Sequence, residues 1–264
     1  KPMLIDRLGK SLGRPVAVNG DLELVWTLPP ALAANDASLA NASWGEAAQM
    51  AQIARIDVIP QWSSLLRGRL ILARVEVQGA RITLARNAKG QWNLPRRDRA
   101  REEPSETSVP ALPAFHLADS RLRLRLPGHT YELQVAALTL TLGKPGAAAR
   151  AEGRLSYDAM PLEVALTLSP TEALFGAETA ADVTVDLATG ENRFTAEGSL
   201  AFDRTPPGID LQFDLNAPDL KGVVHADQLP PGFENRLLAE GRLHDADREG
   251  RWRVSDLRVT AGDS

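Results

Sequence analysis

The sequence contains no cysteine, few aromatic residues and no long apolar run. Without cysteine the chain forms no disulfide and no thiolate metal site, and it has no cysteine nucleophile. Aromatic residues make up 5% of the 264 residues, so a core or groove is built mainly from Leu, Val and Ala. Because no run of 18 apolar residues occurs, we predict no transmembrane helix within this sequence.

A net positive charge is also lacking, since the formal charge is −4. Nucleic-acid binding needs a basic field or a strong basic patch, so we predict no nucleic-acid partner. The histidines, His116, His129, His225 and His244, lie on different predicted strands and turns without metal-ligand spacing. The glycine motifs of serine hydrolases and dinucleotide-binding proteins are absent. We therefore predict no catalytic residue, no metal site, no cofactor and no enzymatic activity.

Apolar and polar residues alternate with a period of two along much of the chain. Leu122, Leu124 and Leu126, for example, alternate with arginines. Such alternation predicts half-buried strands, and Gly-, Pro- and Asp-rich turns separate them. The predicted fold class is mainly β: an elongated, curved antiparallel sheet of repeated hairpins that forms an apolar groove, with short N-terminal helices. One such helix is predicted over Met3–Leu12 and another over Trp62–Leu66.

The stretch Leu65–Leu94 predicts one well-formed hairpin. A strand follows a glycine break, and a tight turn is predicted at Gln78–Ala80. The second strand then places Ile82 and Leu84 on one face.

Two further strands are predicted near the ends of the chain. Pro15–Trp26 reads as one strand with period-two alternation. Near the C-terminal end, Trp252 and Val254 share one phase, whereas Leu257 and Val259 continue one residue out of phase. Such a slip predicts a β-bulge.

The region Pro95–Pro113 combines prolines with charges of mixed sign. Such a composition buries too little apolar surface to order itself, which predicts a linker. The predicted organisation is an N-terminal module over 1–94, a linker over 95–113, and a hairpin segment over 114–264, truncated at its C-terminus. Because the sequence begins without Met and ends just after a predicted strand, we expect further chain at both ends.

A short motif, Ala-Glu-Gly, recurs at Ala151–Gly153, Ala196–Gly198 and Ala239–Gly241. The spacing predicts stacked hairpin units. Their apolar faces must be covered by a second sheet, close into a barrel, or curl into an open trough. An open trough of this kind suits an acyl chain. The candidate groove-lining residues are Leu22, Leu24, Trp26, Ile82, Leu84, Leu122, Leu124, Leu138, Leu140, Val164, Leu166, Val183, Val185, Leu211 and Phe213.

A basic stripe is formed by Arg121, Arg123 and Arg125. We predict that it contacts anionic lipid headgroups, and a plain solvated face is the alternative.

Four segments resemble the N-terminal signature of the AsmA family. They are Gly13–Gly20 followed by Trp26, Leu39–Trp44, Leu65–Leu70 and Gly90–Leu94. The resemblance is strongest over residues 13–94. In the last segment the order is Trp-Asn, whereas the family usually has Asn-Trp.

The resemblance implies a bacterial protein whose bulk lies in the periplasm, tethered to the inner membrane by one N-terminal helix that would precede Lys1. It also implies a repeating β-groove fold related to bridge-like lipid carriers, a role in outer-membrane biogenesis and phospholipid transport, and no catalytic residues.

We therefore predict a non-enzymatic envelope protein that handles phospholipid, or another acyl-chain lipid, along an apolar β-groove. The alternative is an assembly scaffold that binds outer-membrane proteins by strand addition. A third reading is a β-sandwich enzyme or carbohydrate binder whose site the sequence does not reveal.

Overall fold

The structure is a computed structural model. It describes residues 14–26, 30–61, 63, 67, 71–87, 91–93, 114–143, 146–175, 180–201, 208–220, 236–245 and 251–262. The predicted helix Met3–Leu12 and the predicted linker lie outside these residues, as does most of the predicted helix Trp62–Leu66.

The described residues form strands and one short 3₁₀ helix, Thr171–Phe175. This confirms the predicted mainly β fold class. The strands are β1 Val16–Val18, β2 Leu22–Val25, β3 Ala31–Ala40, β4 Gln49–Pro60, β5 Leu72–Ala85, β6 Ala114–Leu126, β7 His129–Thr141, β8 Ala149–Tyr157, β9 Met160–Ser169, β10 Ala180–Thr189, β11 Asn192–Ala201, β12 Gly208–Ala217, β13 Leu237–Asp245 and β14 Trp252–Ala261.

The chain divides into two compact units. The first comprises residues 1–139 with 156–158, and the second comprises residues 140–155 with 159–264. The predicted division at a linker over 95–113 stays a prediction, because that segment lies outside the described residues.

In the first unit the strand order is β1–β3–β4–β5–β6–β7, and β2 also pairs with β3. Strands β5 and β6 are parallel, in the register Val75 opposite Phe115 to Ala85 opposite Arg125. The prediction of an antiparallel sheet is wrong at this pair. Parallel neighbours require a long crossover connection, and the residues between Ala85 and Ala114 provide it.

The predicted single strand over Pro15–Trp26 is divided into β1 and β2. Its interruption contains Gly20, whose amide donates to the carbonyl of Asn35 at 3.2 Å. A Cβ on Gly20 would lie 2.6 Å from that oxygen, so the close approach requires glycine. The two short strands therefore pair with the same neighbour, β3, on either side of a local break.

A row of irregular positions crosses the first unit. Asp36 in β3, Gly79 in β5 and Asp119 in β6 have φ values of 48°, 65° and 47°. In β4, Ala54 lies at the level of Gly79, since Arg55 pairs with Gln78 on one side and Ile53 pairs with Ala80 on the other. A left-handed residue within a strand interrupts the alternation of side chains.

The predicted tight turn at Gln78–Ala80 is therefore wrong, because β5 continues through it. Apolar residues precede Gly79 as Val75 and Val77 and follow it as Ala80 and Ile82, one residue out of phase. The backbone change at Gly79 accounts for the slip within a continuous strand.

In the second unit β8 to β14 lie in chain order, and each pair from β9 onward is antiparallel. The predicted bulge near the end is confirmed. The β13–β14 register shifts between Glu240 and Arg242, and Asp256 has a φ of 52°. The shift lets Val254 and Val259 occupy the same face despite their odd spacing.

The Ala-Glu-Gly copies lie in β8, β11 and β13. Three strand positions separate the first two copies, whereas two separate the last two. The predicted series of hairpins is confirmed, but the copies of the Ala-Glu-Gly motif are not separated by a constant number of strands.

Candidate functional site: an apolar sheet face

Residues that pair across the strands of the second unit form rows, and every second row consists of apolar residues and glycine. Directly paired residues project from the same face of a sheet, so these rows form one apolar face from β9 to β13. The rows are Leu168–Val183–Gly198–Leu211–Leu243, Leu166–Val185–Ala196–Phe213–Gly241, and Val164–Leu187–Phe194–Leu215–Ala239.

The same face extends to β14, the last strand. Val254 pairs with Leu243, and Val259 pairs with Ala239 beyond the bulge. These two valines are 47% and 50% exposed.

The apolar face is not a buried core. None of the Val, Leu and Phe side chains in the three rows is buried, and Leu166 is 38% exposed. In a closed sandwich the same side chains would be fully enclosed. Among the described residues, the largest fully buried side chains are polar, Asn93 and Thr171. The face is therefore partly exposed to solvent.

Small residues shape the middle of this face. Ala196 and Gly241 lie on either side of Phe213 in one row. A Cβ on Gly241 would lie 3.0 Å from Cζ of Phe213, so the phenyl ring lies against the glycine. The rings of Phe194 and Phe213 are stacked with centroids 6.3 Å apart. This pair gives the face a continuous aromatic and aliphatic surface.

The opposite face of the second unit is polar and contains ion pairs. Arg242 donates two hydrogen bonds of 2.6 Å to Asp210, and Arg193 contacts Asp186 in the same way. Hydrogen bonding to the guanidinium lowers the pKa of each aspartate below its ordinary value, against a smaller opposing effect of burial. The two faces of the sheet are thus chemically distinct.

A depression of about 660 Å³ lies on this polar face, lined partly by Asp182, Glu197, Asp210 and Arg242. Within the described ranges no group of three His, Cys, Asp or Glu side chains can hold a metal ion. The depression lies among the charged and polar side chains of this face.

The first unit has apolar rows of the same kind. Ile82 pairs with Leu122, and Leu84 pairs with Leu124, as members of the predicted groove lining. Val77, Leu117 and Val135 are buried, so part of this unit is covered. Two apolar residues on β2 and β3 are exposed. Leu24 pairs with Leu32, and their exposed fractions are 55% and 39%.

The structure brings several predicted lining residues together and separates others. In the second unit Val183 and Leu211 lie in one row. The next row contains Leu166, Val185 and Phe213, and Val164 lies in the row after that. Their role as a groove lining stays a prediction. The remaining candidates are Leu22 in β2, Leu138 and Leu140 in β7, and Trp26, which follows β2 and is 81% exposed.

The predicted basic stripe is paired with carboxylates. Arg121 and Arg123 contact Glu132 at 3.0 and 2.8 Å, and Arg125 contacts Glu46 at 2.6 Å. The hydrogen bond from Arg123 lowers the pKa of Glu132, and burial opposes the shift. Contact between this stripe and lipid headgroups stays a prediction.

A polar network at one end of the first unit was not predicted from the sequence. Asn93 is fully buried. Its Nδ2 donates to Oδ1 of Asn41 at 2.9 Å and to the carbonyl of Thr83 at 2.8 Å, and its Oδ1 accepts from the amide of Ala85 at 2.8 Å. Arg14 donates to the carbonyl of Asn93 at 2.6 Å. The network therefore joins three of the segments that carry the family resemblance.

The family comparison agrees with these segments. Residues 1–150 match the model of the AsmA family. The chain belongs to the AsmA family. The match covers more than half of the 264 residues and includes the whole Arg14–Asn41–Asn93 network. A search of curated proteins finds no match.

Membership of the AsmA family indicates a protein of the bacterial envelope, and the family is known for non-enzymatic proteins. An open β-sheet fits a general role in envelope biogenesis. In the part of the chain that the structure describes, no helix has the length and hydropathy to cross a membrane.

Proposed function

We propose that this AsmA-family chain binds the acyl chains of phospholipid, or of another acyl-chain lipid, along the apolar face of β9–β14. The partial exposure of the three apolar rows is the observation that carries this proposal. In the cell the chain would lie in the periplasm, tethered to the inner membrane by an N-terminal helix, and take part in phospholipid transport for outer-membrane biogenesis.

The energetics favour an acyl chain as the ligand. Burial of each methylene group against an apolar surface is worth about 0.8 kcal/mol. A headgroup gains nothing from the same surface, because burial of an unpaired polar group is costly. The lipid would therefore lie with its tails along the Leu, Val and Phe rows and its headgroup in water.

The test is lipid extraction from the purified chain followed by mass spectrometry, with a charged variant of the face. Leu211→Glu places a carboxylate between Gly198 and Leu243, whereas Gln212→Glu places one on the adjacent polar position. Both variants are expected to fold, and only Leu211→Glu should lose lipid. Empty extracts from the unmodified chain, together with no transfer between liposomes, would contradict the proposal.

Strand β14 favours a second candidate function, the binding of outer-membrane proteins by strand addition. Among the described strands, β14 pairs only with β13. The outer edge of a strand has main-chain donors and acceptors that can pair with another extended segment. Thr260→Lys, on the polar face of β14, should weaken such binding, whereas the lipid content of the apolar face should be retained.

A further inference from the structure

We propose that copies of this chain associate head to tail, with strand β2 of one copy added to the outer edge of β14 in another. The contact pairs Glu23 of one copy with Arg253 of the other. This inference goes beyond the proposed function, because its partner is a second copy of the chain rather than a lipid.

The most exposed large apolar side chains among the described residues lie at these two edges. Trp26, which follows β2, is 81% exposed, and Leu24 is 55% exposed. On β14 the exposed fractions of Trp252, Leu257 and Val259 are 57%, 54% and 50%. Among the described strands, β2 pairs only with β3 and β14 pairs only with β13. An edge with exposed apolar side chains favours pairing with a further strand.

Arg253 identifies the charge that a strand added to β14 must carry. It lies on the polar face and pairs across β13 with His244, which supplies no carboxylate. No described residue forms a hydrogen bond or ion pair with Arg253. Arg258 on the same strand, in contrast, contacts Glu240 at 2.7 Å. An acidic residue opposite Arg253 would therefore fix the register of the added strand.

Strand β2 has the sequence that such a partner needs, with Glu23 between two leucines. When Glu23 lies opposite Arg253 in an antiparallel pair, the two leucines lie opposite Trp252 and Val254. Opposite charges then pair on one face and apolar side chains pair on the other, and both kinds of pair stabilise adjacent strands. The added strand thus continues both faces of the sheet.

The main chain of β2 fits this register. The Asn35 amide donates to the Asp21 carbonyl at 3.1 Å, so Asp21 directs its main-chain groups toward β3. The direction alternates along a strand. Glu23 therefore also faces β3, whereas Leu22 directs its main-chain groups outward.

The main chain of β14 fits the same register. The Gly262 amide donates to the Arg236 carbonyl at 3.1 Å, so even-numbered residues at this end direct their main chain toward β13. The bulge adds one residue, so the odd-numbered residues do so from Ser255 backward. Val254 therefore faces outward, like Leu22 of β2. These two residues can exchange hydrogen bonds, and the neighbouring ion pair falls at a non-hydrogen-bonded position, where side chains lie closer together.

The bulge on β14 also limits the length of the contact. Asp256, with a φ of 52°, interrupts the strand. The regular segment before it, Trp252–Ser255, matches the four residues of β2, Leu22–Val25. Because so short a contact is weak, we expect association that depends on protein concentration.

Symmetric pairing of β14 with β14 of another copy fits less well. An antiparallel register that matches Val254 with Val259 brings Arg253 diagonally across from Arg258 of the other copy, and like charges repel. The contact between β2 and β14 is instead heterologous, since two different surfaces meet, so it can repeat from copy to copy. The expected product is a series of oligomers rather than a single dimer.

Sedimentation velocity of the 264-residue chain over a range of concentrations tests the proposal. We expect the unmodified chain to associate as its concentration rises. Glu23→Arg and Arg253→Glu should each weaken association about tenfold, equivalent to roughly 1.4 kcal/mol, because like charges then face each other. An equimolar mixture of these two variants should regain association, since the two reversed charges attract. Glu191→Arg, exposed in the turn after β10, is the control and should associate like the unmodified chain.

Introduced cysteines locate the contact, because the chain has no cysteine of its own. When Glu23→Cys and Arg253→Cys chains are mixed and oxidised, we expect a disulfide-linked heterodimer. Residues at a non-hydrogen-bonded position have Cα atoms about 4.5 Å apart, within the reach of a disulfide. Crosslinking of Arg253→Cys only to itself would indicate symmetric pairing and overturn the proposal. An unmodified chain that stays monomeric at every concentration, or a mixture of the charge-reversed variants that stays dissociated, would also overturn it.

The two proposals fail in different ways. Leu211→Glu should lose co-purified lipid and keep association, whereas Arg253→Glu should keep lipid and lose association. Association that is lost in Leu211→Glu as well would assign it to bound lipid rather than to the strand edges, and would overturn the head-to-tail contact.

Discussion

Asn93 donates a hydrogen bond of 2.9 Å to Asn41, which lies 52 residues earlier in the chain. Asn93 also bonds the backbone of Thr83 and Ala85, on strand β5. A single buried amide therefore ties the end of β5 to the loop after β3. The family signature in this chain has a structural role, since it holds together the end of the first unit.

Removal of this amide should destabilise the first unit. Asn93→Leu leaves the partly buried Ala85 amide and Thr83 carbonyl without this partner, and an unsatisfied group that is fully buried costs about 1–3 kcal/mol. Denaturant unfolding should show a loss of that order. Asn216→Leu, at an exposed position on β12, is the control and should change the free energy of unfolding little.

The irregular row in the first unit should be sensitive to Cβ addition at Gly79. Gly79 has a φ of 65°, and a Cβ there would lie 2.9 Å from that of Ala54. Gly128 has a φ of 83° and open space around it. Gly79→Ala combines a left-handed conformation, which costs about 1–2 kcal/mol, with a steric clash, whereas Gly128→Ala has the first effect alone. A thermal midpoint lowered equally by both would contradict this account.

The Asp210–Arg242 pair predicts a small dependence of stability on pH. The guanidinium lowers the pKa of Asp210 in the folded state, so the ionised form is favoured by folding. This contribution is complete above the ordinary aspartate pKa of about 4 and is lost as the pH falls through the lower folded value. Asp210→Asn should therefore lower the unfolding midpoint at pH 7 and make no difference at strongly acidic pH.

The size of this effect is limited by solvent. The Asp210 and Arg242 side chains are 45% and 55% exposed, and exposed ion pairs contribute little because water and salt screen them. Added salt should reduce the difference between the two proteins at pH 7. A difference that persists at strongly acidic pH would assign the effect of the substitution to packing.

Local patterns in the sequence predicted the strands well. Alternation identified the apolar faces, and the slip between Val254 and Leu257 predicted the β13–β14 bulge. The change of phase at Gly79 led to the wrong prediction of a turn, because a glycine at a phase change is also typical of a hairpin turn. Only the pairing of β5 with its neighbours on both sides distinguishes the two cases.

Contacts between residues far apart in the sequence could not be predicted from these local patterns. The parallel pairing of β5 with β6 depends on where a strand returns after a long connection. The Asn41–Asn93 bond joins loops whose proximity follows from the sheet order.

Site-specific photocrosslinking tests the central claim most directly. A photoreactive phenylalanine analogue is placed at Leu211 on the apolar face or at Gln212 on the polar face, and the chain is irradiated in cells and examined by mass spectrometry. We predict a phospholipid adduct at position 211 and none at position 212. Equal labelling at both positions, or protein adducts without lipid at position 211, would contradict an acyl-chain-binding face.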